Sequence, residues 1–227
     1  MNLDFLFAPV EFIDDTIARL FEGAPLPVAL LLAALLGLRH ATDPDHLMAV
    51  TSLVAADGAG TRAATHLGAV WGIGHATTLL AVGLPLILLH SSLPPWVGSG
   101  AETLVGVVIA VLAARVLLRW WRRDRKRPHA HDRLRTPRQA LAIGALHGLA
   151  GTGAVVLLLI ATIPDPLAAS LALAAFAPLS AASMALCTSG FAWTLTRPAV
   201  QPLYDAVLLP VLGAGGLLFG GIYVGLL

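Results

Sequence analysis

Apolar residues run along this chain in long stretches, interrupted by short polar or proline-bearing segments. The stretches cover 26–56, 66–90, 97–121, 137–163, 166–196 and 201–227. The hydrocarbon core of a bilayer is about 30 Å thick and takes about 20 helical residues to cross, so the pattern predicts six transmembrane helices. The first and fifth stretches are long for one crossing, which predicts tilt or a break. Prolines mark the starts: Pro25 and Pro27 open the first, Pro94 and Pro95 precede the third, Pro137 opens the fourth, and Pro164 and Pro166 precede the fifth. The missing proline N–H costs little there, because the first helical N–H groups have no partner in any case. Residues 1–24 differ. Phe5, Leu6, Phe12, Ile13, Ile17, Leu20 and Phe21 recur at near-helical spacing among five acids and one base. That pattern predicts an N-terminal amphipathic interfacial helix over 1–24.

Composition narrows the class. Of the 227 residues, 57% are hydrophobic and only 12% charged, with a mean hydropathy of +0.82. A soluble domain carries about 25% charged residues, so this chain cannot cover a water-facing globule. The fold class expected is an all-α polytopic membrane helical bundle. Nine of the 14 Lys and Arg residues fall between Arg119 and Arg138. Basic residues beside spans favour the cytoplasm, so 122–136 is read as a basic cytoplasmic linker. Both termini then lie outside, and the membrane expected is the inner (cell) membrane. This topology role accounts for the basic run, and no nucleic-acid partner is expected. The single cysteine, Cys187, excludes an internal disulfide and any Cys-x-x-Cys site.

A faint repeat runs through the pattern. Gly37-Leu38-Arg39-His40 lies in the first stretch and Gly144-Ala145-Leu146-His147 in the fourth. Each is a Gly-x-x-His in the first of three spans. The expected organisation is a first three-helix repeat over 25–121 and a second over 137–227. An odd number of spans per half would invert one half relative to the other, a common transporter plan with its site at the midplane. The Gly-x-x-x-Gly pairs Gly68/Gly72, Gly144/Gly148, Gly216/Gly220 and Gly221/Gly225 predict close helix contacts.

The chemistry concentrates at His40-Ala41-Thr42-Asp43-Pro44-Asp45-His46, midway along the first stretch. Ionisable groups at that depth are expensive and mark a path or a binding site. On an unbroken helix His40 and His46 would stand about 9 Å apart along the axis, awkward for one ion with bonds near 2 Å. Pro44 has no N–H to give the His40 carbonyl, so a kink or unwound turn is expected there, bringing the side chains together. His75 and His147 fall at similar depth in the second and fourth stretches. The candidate metal ligands are therefore His40, Asp43, Asp45, His46, His75 and His147. Imidazole suits Zn, Cu, Fe and Ni rather than Mg or Ca. Arg39 is expected to pair with Asp43 or Asp45. Met184 and Cys187 could form a soft site, but a buried Cys more often packs as a small hydrophobe.

These residues bring a family into view. His40, Asp45 and His46, spaced His-x4-Asp-His and preceded by Arg39, resemble the signature of the nickel/cobalt transporter family. Gly74-His75-Ala76-Thr77 resembles that family's second, Gly-His-Ser-type motif. The long members carry Asp-Thr motifs in later helices, which this chain lacks. Its 144–154 stretch instead looks like the short six-span permeases associated with urease and nickel-enzyme assembly. The resemblance implies metal permeation through the bundle, with His40, Asp45, His46 and His75 carried over as site residues and Asp43 at an acidic position of the motif. His147 rests on depth and the repeat.

The expected function is therefore transmembrane transport of Ni²⁺, Co²⁺ or both through a midplane His/Asp site, as uptake rather than as an enzyme. The cation is cargo, and no cofactor is expected to stay bound. With no P-loop, energy would come from the membrane potential, an ion gradient or a separate energising subunit; a homo-oligomer is left open, and the lipid bilayer is the remaining partner. The alternatives are a metal efflux permease, a membrane-embedded metal-dependent hydrolase and a six-span exporter of small organic molecules. His129 and His131, in the basic linker, are read as solvated.

Overall fold

A computed structural model describes residues 16, 19–21, 23–43, 45–50, 61–92, 94–121, 136–150, 156–157, 160, 163–195 and 197–226. All regular structure among them is helical. The helices are α1 (Leu26–His40), α2 (Thr61–Leu88), α3 (Pro95–Trp121), α4 (Pro137–His147), α5 (Pro166–Leu195) and α6 (Gln201–Tyr223), the last opening with a π-helical turn over Tyr204–Leu208. Among the described residues five segments are long and apolar enough to cross a membrane: Leu26–Val50, Thr61–Leu88, Pro95–Leu118, Pro166–Leu195 and Gln201–Tyr223.

The fourth expected span begins as foreseen. Thr136 caps α4 and exchanges hydrogen bonds with Gln139, Pro137 takes the first turn, but the helix stops after 11 residues at His147. Turns follow at 148–150, and 151–155 lie outside the described residues. Also outside them are Pro44, the basic linker with His129 and His131, and most of the expected N-terminal helix. Of that last segment, 19–21 are helical and Phe21 is buried in the core against the α1 and α5 side of the bundle.

Each helix turns its small residues inward. α1 buries Ala29, Ala33, Leu36, Gly37 and His40, at helical spacing, while Leu31, Leu35 and Leu38 are exposed on its other face. In water this would be inside out. In lipid, large apolar side chains lose nothing by facing the hydrocarbon, and association rests on close backbone packing through small residues.

That packing fixes the arrangement. α2 and α5 lie against each other, α1 packs on α5, α4 packs on α2, and α3 pairs with α6. Glycines permit each contact. A Cβ on Gly37 would stand 2.6 Å from the Phe176 carbonyl of α5, and one on Gly144 would run into the Trp71 carbonyl of α2. Gly68 and Gly72 fit Thr188 and Ala181 of α5, and Gly216 and Gly220 fit Ala113 and Ala110 of α3. The remaining pair fails as a contact motif, because Gly225 lies past the end of α6 at φ +76° with nothing within 4 Å of its Cβ position.

Gly144→Ala should therefore lower stability by about 1–3 kcal/mol through overpacking against rigid backbone. Gly190→Ala, where a Cβ meets nothing within 4 Å, should leave stability unchanged or raise it by up to about 1 kcal/mol. Thermal unfolding of the two purified variants in detergent checks the contrast.

Candidate metal centre

The centre is built on a helix end. α1 stops at His40, and Ala41 to Asp43 form a turn before a second helical stretch over 45–50. The His40 carbonyl, which a proline at position 44 cannot serve, accepts instead from the Asp43 N–H at 3.1 Å, and the Arg39 carbonyl accepts from Thr42 at 2.8 Å. Leu47 N–H then donates to the Asp43 carbonyl at 2.9 Å, restarting the helix. The break expected from the sequence falls within the polar block and draws His40 and His46 to a ring separation of 4.3 Å.

A hydroxyl from another helix pins this end. Ser183 of α5 donates to the Gly37 carbonyl at 3.0 Å as well as to its own helix at Ser180, 2.9 Å away.

α2 brings the third imidazole. Gly72 and Gly74 let this helix approach α5 and α4, which sinks His75 beside His40. Their Nε2 atoms are 3.0 Å apart, and one nitrogen from each of His40, His46 and His75 lies within 4.8 Å of the others. Two nitrogens about 2.1 Å from one tetrahedral ion are about 3.4 Å apart, so the His40–His75 pair would open by a few tenths of an ångström and spacings up to the 4.8 Å bound would close by up to about 1.4 Å. All three rings are buried, and His46 Nε2 and His75 Nδ1 are buried without a hydrogen-bond partner among the described residues.

Both carboxylates stand behind the rings. Asp43 Oδ2 accepts from His40 Nδ1 at 3.1 Å, and its Oδ1 lies 3.2 Å from the Arg39 guanidinium. Asp45 Oδ1 accepts from both His46 Nδ1 and the His46 N–H at 2.9 Å. An imidazole that gives its Nδ1–H to a carboxylate presents Nε2 as the lone-pair nitrogen, which is how such pairs orient metal ligands. Asp43 is one of the two partners expected for Arg39.

His147, at the end of α4, is also buried, but adds no nitrogen to the three-histidine group. Its ring is 5.6 Å from that of His46, and its Nδ1 donates to the Ile143 carbonyl at 3.1 Å. Met184 is fully buried and Cys187 partly buried in an apolar cluster with Trp71. Two aromatic side chains complete the surroundings without having been signalled by the sequence. Trp71 lies 5.5 Å from His46 and 5.6 Å from His147, and Phe176 meets His40 edge-on at 5.1 Å. An aromatic residue in an apolar span carries no spacing cue, and Ser183 was equally silent.

The urease accessory protein UreH of Bacillus sp. (strain TB-90) is 32% identical to this chain over 147 residues. That stretch is 59% of this chain and 63% of UreH, so the chain spans less than two thirds of this relative. No family profile matches, and no solved structure matches.

Ser183→Ala should cost about 1 kcal/mol, the net worth of a hydrogen bond to a buried carbonyl. Unfolding of the variant beside the parent checks this.

Proposed function

We propose that this chain is a permease that takes up Ni²⁺, with Co²⁺ as a second cargo, and that it belongs to the short six-span branch of the nickel/cobalt transporter family. The observation that carries the reading is the convergence of three buried imidazoles, backed by two carboxylates, inside an apolar bundle. Such groups cost too much in a membrane interior to be kept for packing alone. Three imidazoles with carboxylates behind them are a donor set for a late first-row divalent cation. The negative charges offset the cation where the dielectric is low. Similarity to a urease accessory protein, together with the His-x4-Asp-His signature, favours nickel over zinc as the cargo.

The packing supports an inverted 3+3 repeat. Exchange of the halves turns the α1–α5 contact into the α4–α2 contact and returns α2–α5 and α3–α6 to themselves. The glycine contacts follow the same rule. Gly37 against Phe176 corresponds to Gly144 against Trp71, and Gly68 against Thr188 to Gly83 against Leu173. In the third pair, Gly106 against Gly220 and Val224 corresponds to Gly213 against Ala113 and Leu117. The sixth span of this reading is the apolar stretch 137–163. The linker 122–136 faces the cytoplasm and both termini face outward across the inner membrane. Labelling tests the orientation in a Cys187→Ala background: Pro128→Cys should react only from the cytoplasmic side and Ser92→Cys only from outside.

In this reading the ion sheds water and binds His40, His46 and His75, with Asp43 and Asp45 fixing the rings and balancing charge. His147 is the fourth imidazole of the path, and the turn around Pro44 is the element that rearranges for release. Only two histidines lie in the linker, which favours uptake over efflux, and the driving force is the membrane potential, an ion gradient or a separate subunit.

Uptake of radioactive nickel by vesicles containing the purified protein tests the proposal. His46→Ala should abolish saturable uptake. Asp45→Asn should weaken apparent affinity by about 10- to 100-fold, the usual effect of losing a group that orients a ligand. His129→Ala should change nothing. Normal nickel uptake by both His46→Ala and Asp45→Asn would overturn the permease reading.

A further inference from the structure

His147 occupies in the second half the position that His40 occupies in the first. Each ends its helix three residues after a glycine laid against the backbone of a neighbouring helix. Each ring then meets an aromatic side chain of that neighbour edge-on, Phe176 for His40 and Trp71 for His147. His40 also bonds His75, which lies four residues after Trp71 on α2. The residue four after Phe176 on α5, and so the counterpart of His75, is Ser180, which is fully buried and donates to Ala177 at 2.8 Å. No imidazole or carboxylate matches His46, Asp43 and Asp45 in the second half: Gly153, Ala150 and Thr152 stand at the matching numbers.

The second half therefore carries a reduced copy of the metal centre, one imidazole and one hydroxyl. The two copies adjoin, since His46 and His147 are 5.6 Å apart and share contact with the Trp71 ring. They are not one coordination shell. His147 falls outside the group of three whose ligand nitrogens lie within 4.8 Å of one another, and its ring is 5.6 Å from that of His46. In its neutral form the ring gives its Nδ1–H to Ile143 and so keeps its lone pair on Nε2.

We propose that His147 and Ser180 form a second, weaker station for the divalent cation, reached from the three-histidine station with His46 as the shared ligand. This rests on the permease reading above. The step is a ligand exchange with no change of oxidation state: bonds from the metal to His40 and His75 break, and bonds to His147 Nε2 and the Ser180 hydroxyl oxygen form. Asp45 accepts from Nδ1 of His46, the ligand common to both positions, so its charge stays beside the ion throughout the step. The inequality is functional. An ion must be held well enough to enter and loosely enough to leave, and a neutral hydroxyl with one imidazole holds less tightly than three imidazoles.

Ser180→Cys tests this by adding a strong ligand in nearly the same volume. In a Cys187→Ala background, reconstituted in lipid, the parent and Ser180→Cys should each retain one equivalent of Zn²⁺ in equilibrium dialysis, and Ser180→Cys should hold it roughly tenfold or more tightly, because thiolate is a strong ligand for zinc. With Co²⁺ as probe, Ser180→Cys alone should show a thiolate-to-cobalt charge-transfer band. Nickel flux should fall by at least roughly tenfold, since added affinity appears mainly as slower release. Adding His147→Ala should remove both the gain in affinity and the band. Absence of the band, or a band that survives His147→Ala, overturns the second station. A parent that binds no Zn²⁺ or Co²⁺ and carries no nickel overturns the permease reading and the relay with it. Should Ser180→Cys fail to fold, His147→Gln decides: flux should fall while one equivalent binds with unchanged affinity, and unchanged flux, or loss of that equivalent, overturns the proposal.

Discussion

A buried imidazole in an apolar bundle has to place two ring nitrogens away from bulk water. Much of this structure can be read as an answer to that demand. At His40 and His46 the Nδ1 atoms are taken by Asp43 and Asp45, and Arg39 in turn balances Asp43. The Nε2 atoms of His40 and His75 meet each other at 3.0 Å, while His46 Nε2 and His75 Nδ1 have no hydrogen-bond partner among the described residues. A cluster left in that condition is costly, since buried polar groups without partners forfeit their hydration. A divalent cation would supply a partner to several nitrogens at once.

Bringing the rings together requires backbones to come unusually close, and side-chain size decides where that happens. Helices in lipid gain nothing from hiding leucine, so the contacts run through glycine and alanine. Gly37 seats α1 on α5, Gly74 and Gly144 seat α4 on α2, and Gly72 seats α2 on α5. Each seat sets the depth of a histidine. The helix ends at His40 and His147 add the second ingredient, because a chain that leaves its helix at the ligand can turn the next residues back toward it, as happens between His40 and His46.

The legible part of this arrangement was the part carried by residue type and spacing. The long apolar runs gave the helices, and the charge-poor composition gave the environment. Proline at position 44 inside a His/Asp block pointed to the turn that the backbone makes at Ala41 to Asp43. His75 joined the centre because its depth in the next span matched. The roles of the carboxylates were less legible: a pattern of His and Asp does not say which group faces the ion and which faces the ring. Trp71, Phe176 and Ser183 carried no signal, because an aromatic or a serine in an apolar helix looks the same whether it faces lipid or a buried imidazole. The fourth stretch read as one continuous span, yet α4 ends at His147, since Gly148 follows and no apolar period marks a helix end. The repeat was visible only as two Gly-x-x-His segments. It gains weight from helix pairing, which lies between segments and outside the reach of local spacing.

The central claim is that imidazoles of the first half, oriented by carboxylates, hold the cation directly. X-ray absorption at the nickel edge on the Ni²⁺-loaded protein in lipid tests it without reference to flux. The account predicts one tightly held ion per chain, a shell showing three imidazole nitrogens by their outer-ring scattering, and loss of one imidazole in His75→Ala. A shell of oxygen donors without imidazole scattering, or no ion retained, would contradict it.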